Sequence, residues 1–465
     1  MAWFICICRS VAPVILFAVL QGCATSSLFN AYPNQAVVFK KAIGPAQTDV
    51  MADKVLSDLS EERDSADAML YMMERGRVAQ LHSRFADSKQ DFQLVISRFD
   101  EQDLESTVKL SDSAAQGSSL LVNDNAIPYK GAGYERIFTH HHQAFNYLGE
   151  KDLEGASVEF RKVALEQRIL LEKHEQEVAE AYDEAAENDI DMSTLSEAFS
   201  GLDSVAGSVK SSFQNAYTFY ASAAFWEATG ELNSALVDYK KAYEINPDNS
   251  FIKQDIERVA FKQGGSSGDN VNIAKDNQGT IVVFFEDGFV PAKSEIKLPI
   301  PTFDGGFFSL AFPYYDVNQW PVSQSLKVMD DRFNELGRTE IVVDVGALAV
   351  KDLKERIPGL IVRQTLRAFA KYEMQKQAEK NGGAAGQLMA SLYNIVSESA
   401  DRRSWLTLPH TAQIMRFNLD EGVRELNFST PIAQTSLALN VKPKKTTFVR
   451  VVNANNNLIT QVYEL

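Results

Sequence analysis

One stretch limits the possible folds more than any other: YASAAFWEATGELNSALVDYKKAYEINPDN, residues 220–249. Ala223, Trp226, Gly230, Ala235, Tyr239, Ala242 and Pro247 stand at the spacing of two helices folded back on one another. Small residues let the helices approach closely, aromatic side chains fill the gaps beside them, glycine makes the turn and proline ends the second helix. Two weaker copies precede it. AFNYLGEKDLEGASVEFRKV keeps Ala144, Tyr147, Leu153, Ala156 and Phe160 but has Lys151 where the turn glycine belongs. MMERGRVAQLHSRFADSKQDFQLV keeps Gly76, Phe85 and Phe92, with Ser88 in place of alanine.

This spacing resembles that of tetratricopeptide repeats, which implies a short α-solenoid over residues 51–262 whose concave face takes a peptide or a partner's helix. Tyr217, on the first helix of the clearest copy, is then a candidate groove residue. The pattern changes once, near KQGGSSGDN. Residues 263–278 read as a linker, and short Val/Ile/Phe-rich runs beyond it predict strands. They are expected at 280–286, 306–312, 325–329, 340–345, 412–418, 425–428, 437–441 and 446–452. An α-rich stretch at about 347–400, broken by NGGAAG, is expected as a helical hairpin. The fold class is therefore α+β: a TPR-like α-solenoid, then a β-sandwich-like domain of two antiparallel sheets over residues 279–465 with a helical-hairpin insert.

At the N-terminus the apolar run Val11 to Leu20 is too short to span a membrane and suits the core of a signal peptide. Leu20-Gln21-Gly22-Cys23 resembles the lipobox of bacterial lipoproteins, so residues 1–22 would be removed and Cys23 acylated. Cys6 and Cys8 leave with the signal peptide. No disulfide is then expected, and burial alone must stabilise the fold. Residues 23–50 read as a tether, with the membrane held through the acyl chains. A net charge of −16 argues against nucleic acid as a partner.

Candidate chemistry is thin. His140, His141 and His142 are adjacent, and adjacent helical residues point about 100° apart, so the three do not chelate one ion together. They read as a solvated or packing face. His82, His174 and His410 have no ligand-like companions at local spacing. YKGAGYER, residues 129–136, lacks the third glycine and the Lys-Ser/Thr of a phosphate loop and reads as a tight connection into a helix. Glu286 and Asp287 are neighbours on a strand and face opposite ways, which argues against a paired acid and base. DRRSWLTLP, residues 401–409, offers Arg403 and Trp405 as interface anchors; the competing role is structural, with Trp405 in the core and Asp401 paired to an arginine. Arg363, Arg367 and Lys371 share one helix face. That face either meets phospholipid headgroups or, as the glutamates around it favour, is a solvated cover over the sheet. No catalytic residue, metal ligand or cofactor is expected.

PYKGAGYER, VVFFEDG, VDVGALAVKDL and DRRSWLTLP, together with the lipobox and the irregular repeats, resemble a poorly characterised proteobacterial family of tetratricopeptide-repeat outer-membrane lipoproteins. The resemblance covers nearly all of the mature chain. It implies a lipid-anchored, periplasm-facing location at the outer membrane and the two-part architecture, and it brings no established activity. The expected function is non-enzymatic protein binding or scaffolding in the cell envelope. The groove would hold another envelope protein, such as a peptidoglycan synthase, an outer-membrane assembly component, or a secretion or pilus subunit. The alternative is a glycan- or peptidoglycan-binding or -processing protein with its site in residues 279–465.

Overall fold

A computed structural model of the protein describes residues 32–43, 49–109, 124–188, 190, 196–265, 272–301, 307–397 and 399–465. The expected signal peptide and Cys23 lie outside the described residues. Helices fill the N-terminal half: α1 (Tyr32–Ala42), α2 (Asp49–Ser60), α3 (Ala68–Leu81), α4 (Phe85–Lys109), α5 (Gly133–Gly149), α6 (Leu153–Glu187), α7 (Ala216–Thr229), α8 (Leu232–Ile245) and α9 (Ser250–Lys262). The three repeat copies are the helical hairpins α3/α4, α5/α6 and α7/α8.

All three hairpins turn in the same way. One residue takes left-handed backbone, Ser83 (φ 58°), Lys151 (φ 63°) or Gly230 (φ 89°). The next N–H then closes onto the carbonyl five residues back: Arg84 onto Ala79 (2.9 Å), Asp152 onto Tyr147 (2.8 Å) and Glu231 onto Trp226 (2.8 Å). This closure satisfies carbonyls that a helix end would leave unpaired. Counted from these turns, the small residues Gly76, Ala144 and Ala223 coincide, as do Phe92, Phe160 and Tyr239, and all six are buried. Glycine is required at 76, because a Cβ there would lie 2.9 Å from the Phe92 ring.

The C-terminal half carries strands β1 (Gln278–Asp287), β2 (Ser294–Pro301), β3 (Phe307–Tyr314), β4 (Lys327–Met329), β5 (Glu335–Arg338) and β6 (Glu340–Asp344), then β7 (Thr411–Asp420), β8 (Gly422–Ser429), β9 (Gln434–Val441), β10 (Thr446–Ala454) and β11 (Asn457–Glu464). They form a five-stranded sheet in the order β11-β10-β1-β7-β6, a four-stranded sheet β5-β4-β8-β9, and the separate pair β2-β3. The five-stranded sheet is mixed rather than antiparallel, since β1 runs parallel to β10. β2, β5 and β11 escaped the reading of the sequence: β2 carries two prolines and a lysine, β5 is four residues long, and half of β11 is polar.

The alternation along β1 explains the layering. Ile281, Val283 and Phe285 pack with Val328, Leu426 and Phe428 of the four-stranded sheet. Val282 and Phe284 belong to the core shared with the helices, where Phe284 meets Phe145, Tyr217 and Tyr220 edge-on. A strand buried on both faces reads as an unbroken apolar run, as TIVVFF does. The first helix of each hairpin, α3, α5 and α7, therefore lies on the chain's own sheet. The face expected to form an open groove is filled from within.

Two other expectations change. The insert is not a hairpin but one helix, α10 (Val345–Ser397), of 53 residues, about 80 Å at 1.5 Å per residue. It runs through Pro358 and the two glycines of NGG. Each glycine costs only about 1 kcal/mol relative to alanine in a helix, and burial of Leu353, Ile357, Leu360 and Ile361 holds the N-terminal part in place. Within the expected tether, residues 32–42 are α1, which buries Tyr32, Ala36, Phe39 and Ala42. Asn455, in the β10-β11 turn, donates to the Lys40 carbonyl at 2.8 Å, so α1 bridges both halves.

Candidate functional site

Between the helices and the sheet lies a polar cluster with no exposure to solvent. Glu286 projects from β1 on the helical side, because it shares the parity of Val282 and Phe284. Arg77 of α3 and Arg450 of β10 both pair with it, the latter at 2.7 Å, and the Tyr217 hydroxyl of α7 donates to it at 3.3 Å. Arg450 also donates to Gln80 (2.7 Å) and meets His142 Nδ1 at 3.0 Å. The two guanidiniums hold the Glu286 carboxyl down at about 2 against its own burial. Burial, reinforced by the same cations, drives His141 down to about 3 and His142 well below its ordinary value. Both imidazoles are therefore neutral. Neither ring nitrogen of His141 has a hydrogen-bond partner among the described residues; its ring packs on Phe145 (4.9 Å) and Tyr217 (5.1 Å) instead.

His141, His142 and Glu286 place one ligand atom each within 4.8 Å of one another, the one metal-capable group among the described residues. The donor set does not suit a cation. Glu286 is already shared by two arginines, and the cluster carries an excess positive charge that would repel a metal ion. The geometry is that of a lock between helices and sheet. His140 faces the other way and meets Glu159 of α6 at 2.6 Å. The three histidines form neither a chelate nor a solvated face.

The expected binding residues lie inside the same layer. Trp405 is fully buried against Phe92 and His142. Its backbone N–H donates to Glu135 and that of Leu406 to Glu74, each at 2.7 Å, so α5 and α3 each supply a carboxylate to the SWLT segment. Burial raises both carboxyls above their ordinary range. Arg403 is buried and paired with Asp67 and Asp401. Tyr217 is buried on Glu286. None of the three offers a surface to a partner. Glu227 anchors a further internal cluster, accepting from Arg258 (2.7 Å) and from Arg416 of β7 (2.8 Å).

The open sites lie elsewhere. On the far side of the hairpins, α6, α7 and α8 enclose a groove of about 550 Å³. Arg161, Arg168, Lys210 and Lys241 line it against the single acid Glu244. Leu165 and Leu171, 43% and 42% exposed, provide apolar surface between the charges. Lys241 sits over the Phe219 ring at 5.1 Å, and Arg161 stacks on Trp226 at 4.7 Å. Sequence reading missed this patch because its cations come from two helices and a loop spread over 80 residues of the chain, Arg161 to Lys241. A second, smaller cavity lies where α6 and α10 meet the segment before α5.

Compared with protein-family models, curated proteins and solved structures, the chain matches none.

Proposed function

We propose that this chain is a non-enzymatic, lipid-anchored binding protein of the bacterial cell envelope that holds an acidic segment of an envelope partner. In this reading the three hairpins are degenerate tetratricopeptide units of a short solenoid. Its inner face is committed to the chain's own sheet, and its binding surface is the outer groove of α6, α7 and α8. The observation that carries the reading is that groove's charge. Four cations and one carboxylate line it; Glu231 and Asp238 pair with Arg161 and Lys241 from outside, while Arg168 and Lys210 have no ion pair among the described residues, in a chain whose net charge is −16. Local potential of the opposite sign to the whole steers a complementary partner and disfavours the chain's own copies. The apolar rims of Leu165 and Leu171 supply the area that charge alone does not. Anchoring rests on the lipobox-like sequence at Cys23. No helix among the described residues is long and apolar enough to cross a membrane.

The test places a photo-reactive residue at Leu165 in cells, with a control at Val423, which is 77% exposed on the four-stranded sheet. One dominant envelope protein crosslinked from Leu165 through an acidic segment, and lost in Arg168→Glu/Lys210→Glu, supports the reading. Identical products from both positions overturn it. Feeding cells an alkyne fatty acid tests the anchor: label should appear on the chain and disappear in Cys23→Ser.

A further inference from the structure

Three motifs that the sequence leaves without chemistry converge on one cavity. YKG of residues 129–131, Arg363 of the basic helix face, and Asp401 with Arg403 of DRRSW all line a space of about 360 Å³ roofed by α10 and α6. That volume is at the small end of the range for ligand pockets. The cations lining it are Lys130, Lys293, Arg356, Arg363 and Arg403. The carboxylates are Asp124, Glu355 and Asp401.

Partners outside the wall reach four of these groups. Asp67 and Asp352 reach in to Arg403 and Arg356, while Arg367 and Lys351 reach in to Asp124 and Glu355. The least compensated group is Lys293. Its Nζ donates to the Arg403 carbonyl at 3.0 Å and forms no ion pair among the described residues. Arg356, with half its side chain exposed, has only a 3.4 Å contact to Asp352, and Arg363 only a 3.5 Å contact to Asp124.

We propose that this cavity binds a small molecule bearing an oxyanion, a phosphate or phosphodiester, on Lys293, Arg356 and Arg363. Burial and the neighbouring Arg356 pull Lys293 below its ordinary value, the condition an incoming anion relieves. Arg403 is a positioning residue. It donates to the carbonyls of Asp124 (2.8 Å) and Ile127 (3.0 Å) and so fixes the loop that forms one wall. The site is independent of the outer groove and stands or falls separately from it.

The test is calorimetric titration of the full chain with inorganic phosphate, glycerol 3-phosphate and monomeric dihexanoyl phosphatidylglycerol, with glycerol as the uncharged control. Saturable binding of a phosphate-bearing probe is expected, weakened about tenfold or more by Lys293→Gln, the loss of one charge-assisted hydrogen bond. Uptake of the phosphatidylglycerol alone would assign the oxyanion to a lipid headgroup; uptake of the water-soluble phosphates would assign it to a free metabolite. Should Lys293→Gln fail to fold, Arg356→Gln and Arg363→Gln, at partly exposed positions, carry the comparison. No saturable binding at millimolar probe, or equal binding by these variants, overturns the proposal.

Discussion

At the scale of single residues, Glu286 is the side chain on which most others depend. Its charge is stabilised by two guanidiniums that are themselves stripped of water, so neutralising it leaves both uncompensated. Glu286→Gln is expected to cost about 3–5 kcal/mol, the usual penalty for breaking a buried pair from one side, read by urea unfolding. The neighbouring His141 makes the fold sensitive to acid. Folded, it refuses a proton down to about pH 3, whereas the unfolded ring accepts one near 6.5. The unfolded state therefore binds more protons in that window, and stability falls as pH drops from 6.5 towards 3. Asp91 acts in the opposite sense, since burial lifts it to about 6 and the folded state takes its proton first. The difference between wild type and His141→Leu isolates the histidine: the variant's stability should decline less over this window, and parallel curves would show that another group is responsible. That Glu286 and Asp287 face opposite ways was legible from strand alternation alone. Asp287 indeed accepts from the Gln324 N–H (2.9 Å) on the other side of the sheet. What joins Glu286 to Arg77, 209 residues away, was not.

At the scale of elements, the hairpin turns give a pair of opposite predictions. Lys151 holds left-handed backbone without being glycine, at a cost of about 1–2 kcal/mol offset partly by its lower unfolded-state entropy. Lys151→Gly should raise stability by about 0.5–1 kcal/mol. Gly230→Ala should lower it by about 1–2 kcal/mol through backbone strain alone, because nothing lies within 4 Å of the added Cβ. Denaturation midpoints of the two variants check both signs. The turn glycine, small residues and aromatics made the third hairpin readable. The first two were weaker because Ser83 and Lys151 disguise the same turn. The break expected at NGGAAG illustrates the converse. Glycine marks a possible helix end, but whether the helix stops depends on caps and packing that local composition does not contain.

At the scale of the molecule, the helical half and the sheet share one core that runs from Tyr32 to Tyr463. The full chain should therefore melt in a single calorimetric transition, with near- and far-UV signals coincident. Residues 272–465 alone should aggregate or fail to fold, since Val282, Phe284, Phe448 and Val452 would lose their helical cover; a cooperative melt of that fragment would show that the halves are separable. By itself the sequence determined the local periodicities: where helices pair, where strands alternate, and which small residues let backbones approach. Those signals reside in residues a few positions apart, which share a face of one helix or strand. Only the tertiary structure decided that the sheet closes the inner face of the hairpins, that Tyr217, Arg403 and Trp405 are internal, and that Lys293, Arg356 and Arg363 line a common cavity. Contacts between residues tens or hundreds of positions apart are set by how the layers stack, and no periodicity along the chain records them.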